Sequence, residues 1–181
     1  MEKILKMLEA GHLLLSPTDT IWGILCDATN PRAVNKVYEL KNRPDSKAMV
    51  CMVSDLKMLK KYIPELPDQI EQHINTTRPT TVIYNHPIGI AKNAIAAEDT
   101  VAIRIVDHHF CTPLIAAFGK PLVSTSANIS GTAHPKKYSD IADEILRGVD
   151  HIVAVDQDKI NDQASRILKI EPTGAITLLR A

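Results

Sequence analysis

The sequence predicts an α/β fold with a mixed sheet. Short apolar runs of strand length alternate with amphipathic stretches of helical period, and Gly, Pro and short polar residues mark the joins. With 181 residues, 45% of them hydrophobic and 23% charged, the chain has material for one domain with a substantial core and too little for two. Residues 1–181 are therefore read as a single domain.

The elements follow in order. Residues 2–10 read as a short helix with Ile4, Leu5 and Leu8 on one face and Gly11 placed to cap it. Leu13-Leu14-Leu15 is a buried strand halted by Ser16-Pro17, and a second apolar run, 21–26, follows the loop Pro17-Thr18-Asp19-Thr20. Asn30-Pro31 is a helix start, with Val34, Val37, Tyr38 and Leu40 as its apolar stripe and Pro44 as its stop. A strand is expected over 48–53, with Ser54 capping the next helix, then a proline-bounded helix over 64–79 and a strand over 80–84. The stretch 86–99 is the least regular and reads as a surface excursion. In 100–106, Val101, Ile103 and Ile105 share one face while Ala102 and Arg104 share the other. A helix over 112–118, a strand over 122–126, a helix over 139–147 and a strand over 152–155 come next. Two strands, 166–170 and 175–179, flank a hairpin turn at Glu171-Pro172-Thr173-Gly174.

Composition limits the functions open to this chain. Lys plus Arg number 21 and Asp plus Glu number 21, so no overall field draws in nucleic acid, and an anion site must be a local cluster of cations. At 4% aromatic residues, a base-stacking platform is not expected. Cys26, Cys51 and Cys111 are odd in number and far apart, which argues against a disulfide framework and for buried thiols in a reducing compartment. No apolar stretch reaches the length of a membrane span and the first residues lack a leader profile, so a cytoplasmic location away from membranes is expected.

Several segments carry chemistry. The loop Pro17-Thr18-Asp19-Thr20 leaves a buried strand, where open α/β sheets hold ligands, although its polar side chains can equally satisfy their own turn. Lys41, Arg43 and Lys47 offer a fork and mobile charges for phosphate oxygens; a cationic helix C-terminus is the plainer reading of the segment alone. Arg104 sits mid-strand in an apolar segment, so either an internal carboxylate pairs with it or its face borders a polar cleft. Ser124 to Gly131 has four hydroxyls and an amide, and Ser124 and Ser126 alternate on a core strand, which points to a lined cavity. Asp107-His108-His109 lacks a Cys/His partner set with ligand spacing, and adjacent histidines on an extended segment diverge, so no metal is expected. The scattered glycines give no phosphate-cradling loop, and no Gly-x-Ser-x-Gly elbow is present.

Taken together, these segments resemble the YrdC/Sua5/TsaC family. Pro17-Thr18-Asp19-Thr20-Ile21-Trp22-Gly23 resembles its PTDT-x-[YW]-G opening, Lys41-Asn42-Arg43-Pro44 its K-x-R-P element, Thr100 to Arg104 its VAxR strand, and Ser124 to Gly131 its STSANxSG element. The resemblance implies a twisted YrdC-like sheet with a concave, cation-lined cavity, in the short form without the extra domain of long Sua5 members. It implies an L-threonylcarbamoyladenylate synthase, a nucleotidyltransferase using L-threonine, bicarbonate and ATP, with Mg²⁺ carried on the ATP phosphates. Its product would feed N6-threonylcarbamoylation of adenosine 37 in tRNA through downstream transfer proteins. By motif position, Lys41 and Arg43 would be catalytic. Thr20, Arg104, Ser124 and Ser165 would hold threonine, and Lys41, Arg43, Lys47, Thr100, Ser126, Asn128 and Arg180 would hold ATP. The chain departs from the family pattern at Arg78 to Thr81, where a W-P-G-P-[VL]-T element is shortened, at Met52, which replaces a frequent histidine, and at Ala164-Ser165-Arg166, which stands for P-S-T. A non-catalytic module binding double-stranded RNA or tRNA is the alternative, and neutral charge argues against it.

Overall fold

The computed structural model describes residues 1–42, 49–74, 76–161 and 163–181. Its helices are α1 (Glu2–Glu9), α2 (Pro31–Leu40), α3 (Leu56–Tyr62), α4 (Ile70–Ile74), α5 (Cys111–Phe118) and α6 (Asp143–Gly148). Its strands are β1 (Leu14–Ser16), β2 (Gly23–Asp27), β3 (Val50–Val53), β4 (Thr80–Asn85), β5 (Thr100–Ile105), β6 (Leu122–Ser126), β7 (His151–Ile152), β8 (Arg166–Ile170) and β9 (Ile176–Arg180). Among the described residues these strands form one nine-stranded sheet in the order β7-β1-β2-β6-β3-β5-β4-β8-β9. Pairs β1/β7, β3/β5 and β4/β8 are parallel and the rest antiparallel, so the sheet is mixed, as the alternation of elements predicts.

The central strands are apolar and buried because helices cover the sheet: β2 is buried throughout, and Val34 and Val37 of α2 and Leu114 and Ile115 of α5 are fully buried with it. Asn30 caps α2 by accepting from the amides of Arg32 (3.0 Å) and Ala33 (3.3 Å), with Pro31 in the first helical position. Asn30→Ala should lower stability by about 1 kcal/mol, read as an earlier urea midpoint.

Several boundaries move from their expected places. Asp55, not Ser54, caps α3: its Oδ1 accepts from the Met58 amide at 2.7 Å, and Ser54 donates to its other oxygen at 2.8 Å. These bonds hold the Asp55 carboxyl below its usual pKa, backbone hydrogen bonding to Met58 contributing most. Of the helix expected over 64–79, Ile70–Ile74 alone is helical among the described residues; Pro64 and Pro67 deny its first half the donors a longer helix needs. The helix expected over 139–147 divides into a 3₁₀ turn, Tyr138–Asp140, and α6, with Ile141 extended between them. The stretch 86–99 is docked rather than loose. Ala91 donates to the Ala28 carbonyl (2.9 Å), Ile88 to that of Tyr62 (2.9 Å), and Ile90, Ala91 and Ala94 are buried.

The three cysteines are free and buried. Burial pushes the Cys51 and Cys111 thiols up to about 12, so both stay protonated and inert near neutral pH. No helix among the described residues is long and apolar enough to cross a membrane.

Candidate functional site

A cavity of about 410 Å³ opens beside the central strands where the β1–β2 loop, β5, β6 and the C-terminal hairpin converge. Thr20, Arg104, Ser124, Ser126, Asn128, Ser165 and Arg180 all line it, although they span 161 positions from 20 to 180. Its described lining carries two arginines, hydroxyls and an amide, and no carboxylate. Gly23 makes room at the wall. It pairs with Ser126 across β2 and β6, and a Cβ there would press on Ser124 Oγ at 3.1 Å.

Arg104 meets both conditions its burial posed. Its side chain is 5% exposed; Nη2 lies 3.0 Å from Asp19 Oδ1, itself on a 6% exposed side chain, and Arg104 also lines the cavity. The Asp19 contact is coulombic rather than an aligned hydrogen bond, since Oδ1 finds no hydrogen-bond donor among the described residues. The Nη2 hydrogens go to Thr20 Oγ1 (3.3 Å) and to the Met52 sulfur (3.5 Å), Met52 being opposite Arg104 in the β3/β5 register. Thr18 Oγ1 donates to the Ile21 carbonyl (2.8 Å) and accepts from the Thr20 amide (3.1 Å). The 3.0 Å contact between the two threonine hydroxyls is therefore donated by Thr20. With its proton used and one lone pair taken by Arg104, Thr20 Oγ1 has acceptor capacity left for an N–H donor.

Lys41 is the least expected arrangement. It is 2% exposed, directly after α2, and its ammonium bonds to the Ser126 carbonyl, the Asn128 carbonyl (2.5 Å) and Asn128 Oδ1 (3.2 Å). Ser130 N donates back to the Lys41 carbonyl at 3.0 Å. The helix C-terminus and the loop after β6 are thus tied together by one cation. Asn128 is held further by Ser126 Oγ (2.5 Å) and donates to the Thr132 carbonyl (2.6 Å). Arg43 and Lys47 lie outside the described residues.

At the far wall, Ser165 Oγ shares a hydrogen bond with Thr81 Oγ1 (2.8 Å), and its carbonyl accepts from Arg180 Nε (3.1 Å) and Nη2 (2.7 Å). Thr100 stands apart. It pairs with Asn85 at the opposite end of β5 from Arg104, roughly 13 Å along the strand, and is not among the lining residues. Sequence reasoning passed over Thr81, which supports Ser165, and the cavity residues Val50, Thr132 and His134. None carries a local signal; strand register and loop return alone bring them in.

His108 and His109 do not diverge. Their ring centroids lie 4.5 Å apart, and both Nε2 atoms approach Asp156 Oδ2, at 3.2 and 3.6 Å. The three could surround an ion. However, His108 Nδ1 accepts from the amides of Phe110 and Cys111 (3.3 Å each), which leaves the proton on Nε2, where it is donated to Asp156. A metal would need that nitrogen bare, so the cluster reads as a clamp on the buried His108, with His109 exposed beside it. Burial, with His109 adding, holds His108 below its usual pKa. The unfolded chain takes up a proton near pH 6.5 that the native state refuses. The contribution of His108 is complete above that pH and is lost as pH falls toward the native pKa. His108→Gln should therefore flatten the loss of unfolding midpoint between pH 7.5 and 5.5; an unchanged slope would exclude the clamp.

The fold and site define an α/β protein with a polar cavity lined by two arginines, hydroxyls and an amide. Comparison with known proteins makes the class particular. The model for the Sua5/YciO/YrdC domain, described as "Telomere recombination", matches residues 6–181, and the chain belongs to that family. It is 35% identical over 134 residues to a threonylcarbamoyl-AMP synthase of Vibrio campbellii, covering 72% of each chain. It is 33% identical over 180 residues to a putative threonylcarbamoyl-AMP synthase of Methanocaldococcus jannaschii, covering 98% of this chain and 84% of that one. P. abyssi Sua5 complexed with L-threonine superposes with a TM-score of 0.84 at 22% identity, and E. coli YciO with 0.82 at 19%, which shows the shared fold. The chain spans 98% of itself but 52% of the P. abyssi protein.

Proposed function

We propose that this chain is an L-threonylcarbamoyladenylate synthase, a nucleotidyltransferase that joins L-threonine, bicarbonate and ATP and releases pyrophosphate. The observation that carries the reading is the cavity itself: cations and hydroxyls line it, no carboxylate does among the described residues, and a buried lysine is seated beneath it. The family relatives named threonylcarbamoyl-AMP synthase support the choice of substrates.

The amino acid would bind at Thr20 and Arg104. An arginine beside a hydroxyl with a spare lone pair suits a carboxylate and an amine on one carbon, with Ser124 and Ser165 on either side. ATP would lie toward Ser126, Asn128 and Arg180, its phosphates met by Lys41, Arg43 and Lys47; Thr100 belongs to the same proposal by motif position. The threonine amine would combine with bicarbonate to give a carbamate and water, and a carbamate oxygen would attack the α-phosphorus while pyrophosphate leaves. Such chemistry rests on positioning and charge stabilisation, and needs no nucleophilic side chain. Mg²⁺ would arrive on the ATP phosphates, since the described lining offers no carboxylate to cage it. The adenylate would then serve t6A37 formation in tRNA.

The test is pyrophosphate release by the purified protein with ATP, Mg²⁺ and bicarbonate, with and without L-threonine. Release that requires both threonine and bicarbonate is expected. Salt-sensitive binding of RNA without turnover would replace the synthase by an RNA-binding module.

A further inference from the structure

We infer that Asp19 is a positioning residue for substrate: its carboxylate holds the Arg104 guanidinium at the wall of the cavity so that the arginine meets the carboxylate of the amino-acid substrate in one orientation. The inference rests on the synthase reading for its substrate, but the Asp19–Arg104 relation is a property of the fold.

Four observations carry it. Arg104 is 5% exposed on a sheet strand, and Asp19 Oδ1, 3.0 Å from its Nη2, is the only carboxylate oxygen in salt-bridge contact with it among the described residues. Every hydrogen bond Arg104 makes runs through Nη2, to Thr20 and Met52, so its other terminal nitrogen, Nη1, is left unclaimed by the described residues. The two charges face different spaces: Arg104 lines the 410 Å³ cavity, whereas Asp19 lines a second cavity of about 760 Å³ with His108, His109 and Arg78. Asp19 therefore stands behind the arginine, as part of the partition, and does not compete for the ligand in front of it. Finally, the Asp19 carboxylate has no other ion pair and no hydrogen bond among the described residues. A turn residue satisfying its own backbone would show one; Thr18 does, and Asp19 does not.

A buried guanidinium without its counter-charge leaves its place for water or recruits another partner. The substrate must then meet the cost of returning it, which appears as a weaker ground-state complex and not as slower chemistry.

The experiment compares wild type, Asp19→Asn, Asp19→Glu, Arg104→Gln and the Asp19→Asn/Arg104→Gln pair in the pyrophosphate assay, titrating threonine and ATP separately, with thermal midpoints on the same samples. Asp19→Asn should raise the threonine KM by roughly tenfold or more, the size of a lost charge contact, with kcat and the ATP KM within about twofold. Asp19→Glu should recover part of it. In the Arg104→Gln background, Asp19→Asn should change the threonine KM little and should raise the thermal midpoint, because it removes a buried charge that has lost its partner. Equal effects of Asp19→Asn with and without Arg104, or a loss confined to kcat, would overturn the inference. If the single variants do not fold, a double variant that folds shows the coupling, since removing both charges is then tolerated where removing either is not, and a double variant that also fails to fold overturns it. Failure of the synthase reading would show differently, as absent threonine-dependent release by the wild-type protein. The midpoint cycle would then test the pair by itself.

Discussion

Arg104→Ala should raise the threonine concentration for half-maximal pyrophosphate release by roughly 10- to 150-fold, the worth of one charge-assisted hydrogen bond of about 1.5–3 kcal/mol. The ATP dependence should change far less, because Arg104 lies on the Thr20 side of the cavity, bonded to Thr20 at 3.3 Å, while Lys41 gathers the loop on the Ser126 and Asn128 side. The substitution should also destabilise the fold. It leaves Asp19, on a 6% exposed side chain, with no counter-charge, and breaking a buried pair from one side costs about 3–5 kcal/mol. Kinetics at 15 °C on folded protein separate the two effects. A defect in ATP affinity alone would contradict the assignment of Arg104 to the amino acid.

Lys41→Ala should slow adenylate formation by roughly one to three powers of ten, the range for losing one preorganised charged donor. Two physical routes lead there. If the ammonium swings to the ATP phosphates, the loss is direct; if it stays where it is, the Ser126 and Asn128 carbonyls and Asn128 Oδ1 lose the ammonium, Oδ1 keeping Ser126 Oγ, and the loop after β6 loses that tie to α2. Hydrogen exchange of the amides at 126–132 distinguishes them. Faster exchange in the variant without nucleotide identifies the anchor, and unchanged exchange with slowed turnover identifies the phosphate contact. Near-normal turnover would remove Lys41 from the catalytic group.

Much of this site was legible because its chemistry is concentrated in short segments. Hydroxyls alternating on a core strand at Ser124 and Ser126 signalled a lined cavity, and a lone arginine at 104 in an apolar strand signalled either a partner or a cleft. The structure supplies both. Less legible was the direction of Lys41. Position after a helix predicts a cation for solvent or ligand, whereas the chain returns 85 residues later and folds its carbonyls over the ammonium. The convergence of His108 and His109 on Asp156 was hidden for a related reason: alternation governs extended backbone, and these residues fall in a turn before α5. Helices over 64–79 and 139–147 came out short because local propensity is a weak prior against prolines and tertiary packing.

By itself the sequence determined the fold class, the family and the residue types available for an anionic ligand, because hydrophobic period and motif order are local properties of the chain. It also determined that the three thiols are buried, since each lies in an apolar run. The tertiary structure alone decided which of those residues meet. Strand order brings Arg104 of β5 to Asp19 and Thr20, the β2/β6 register brings Gly23 to Ser126 beside Ser124, and the closing hairpin brings Arg180 to Ser165. These are contacts between segments up to 103 residues apart, and a charge buried there is tolerable only when its partner arrives from elsewhere in the chain.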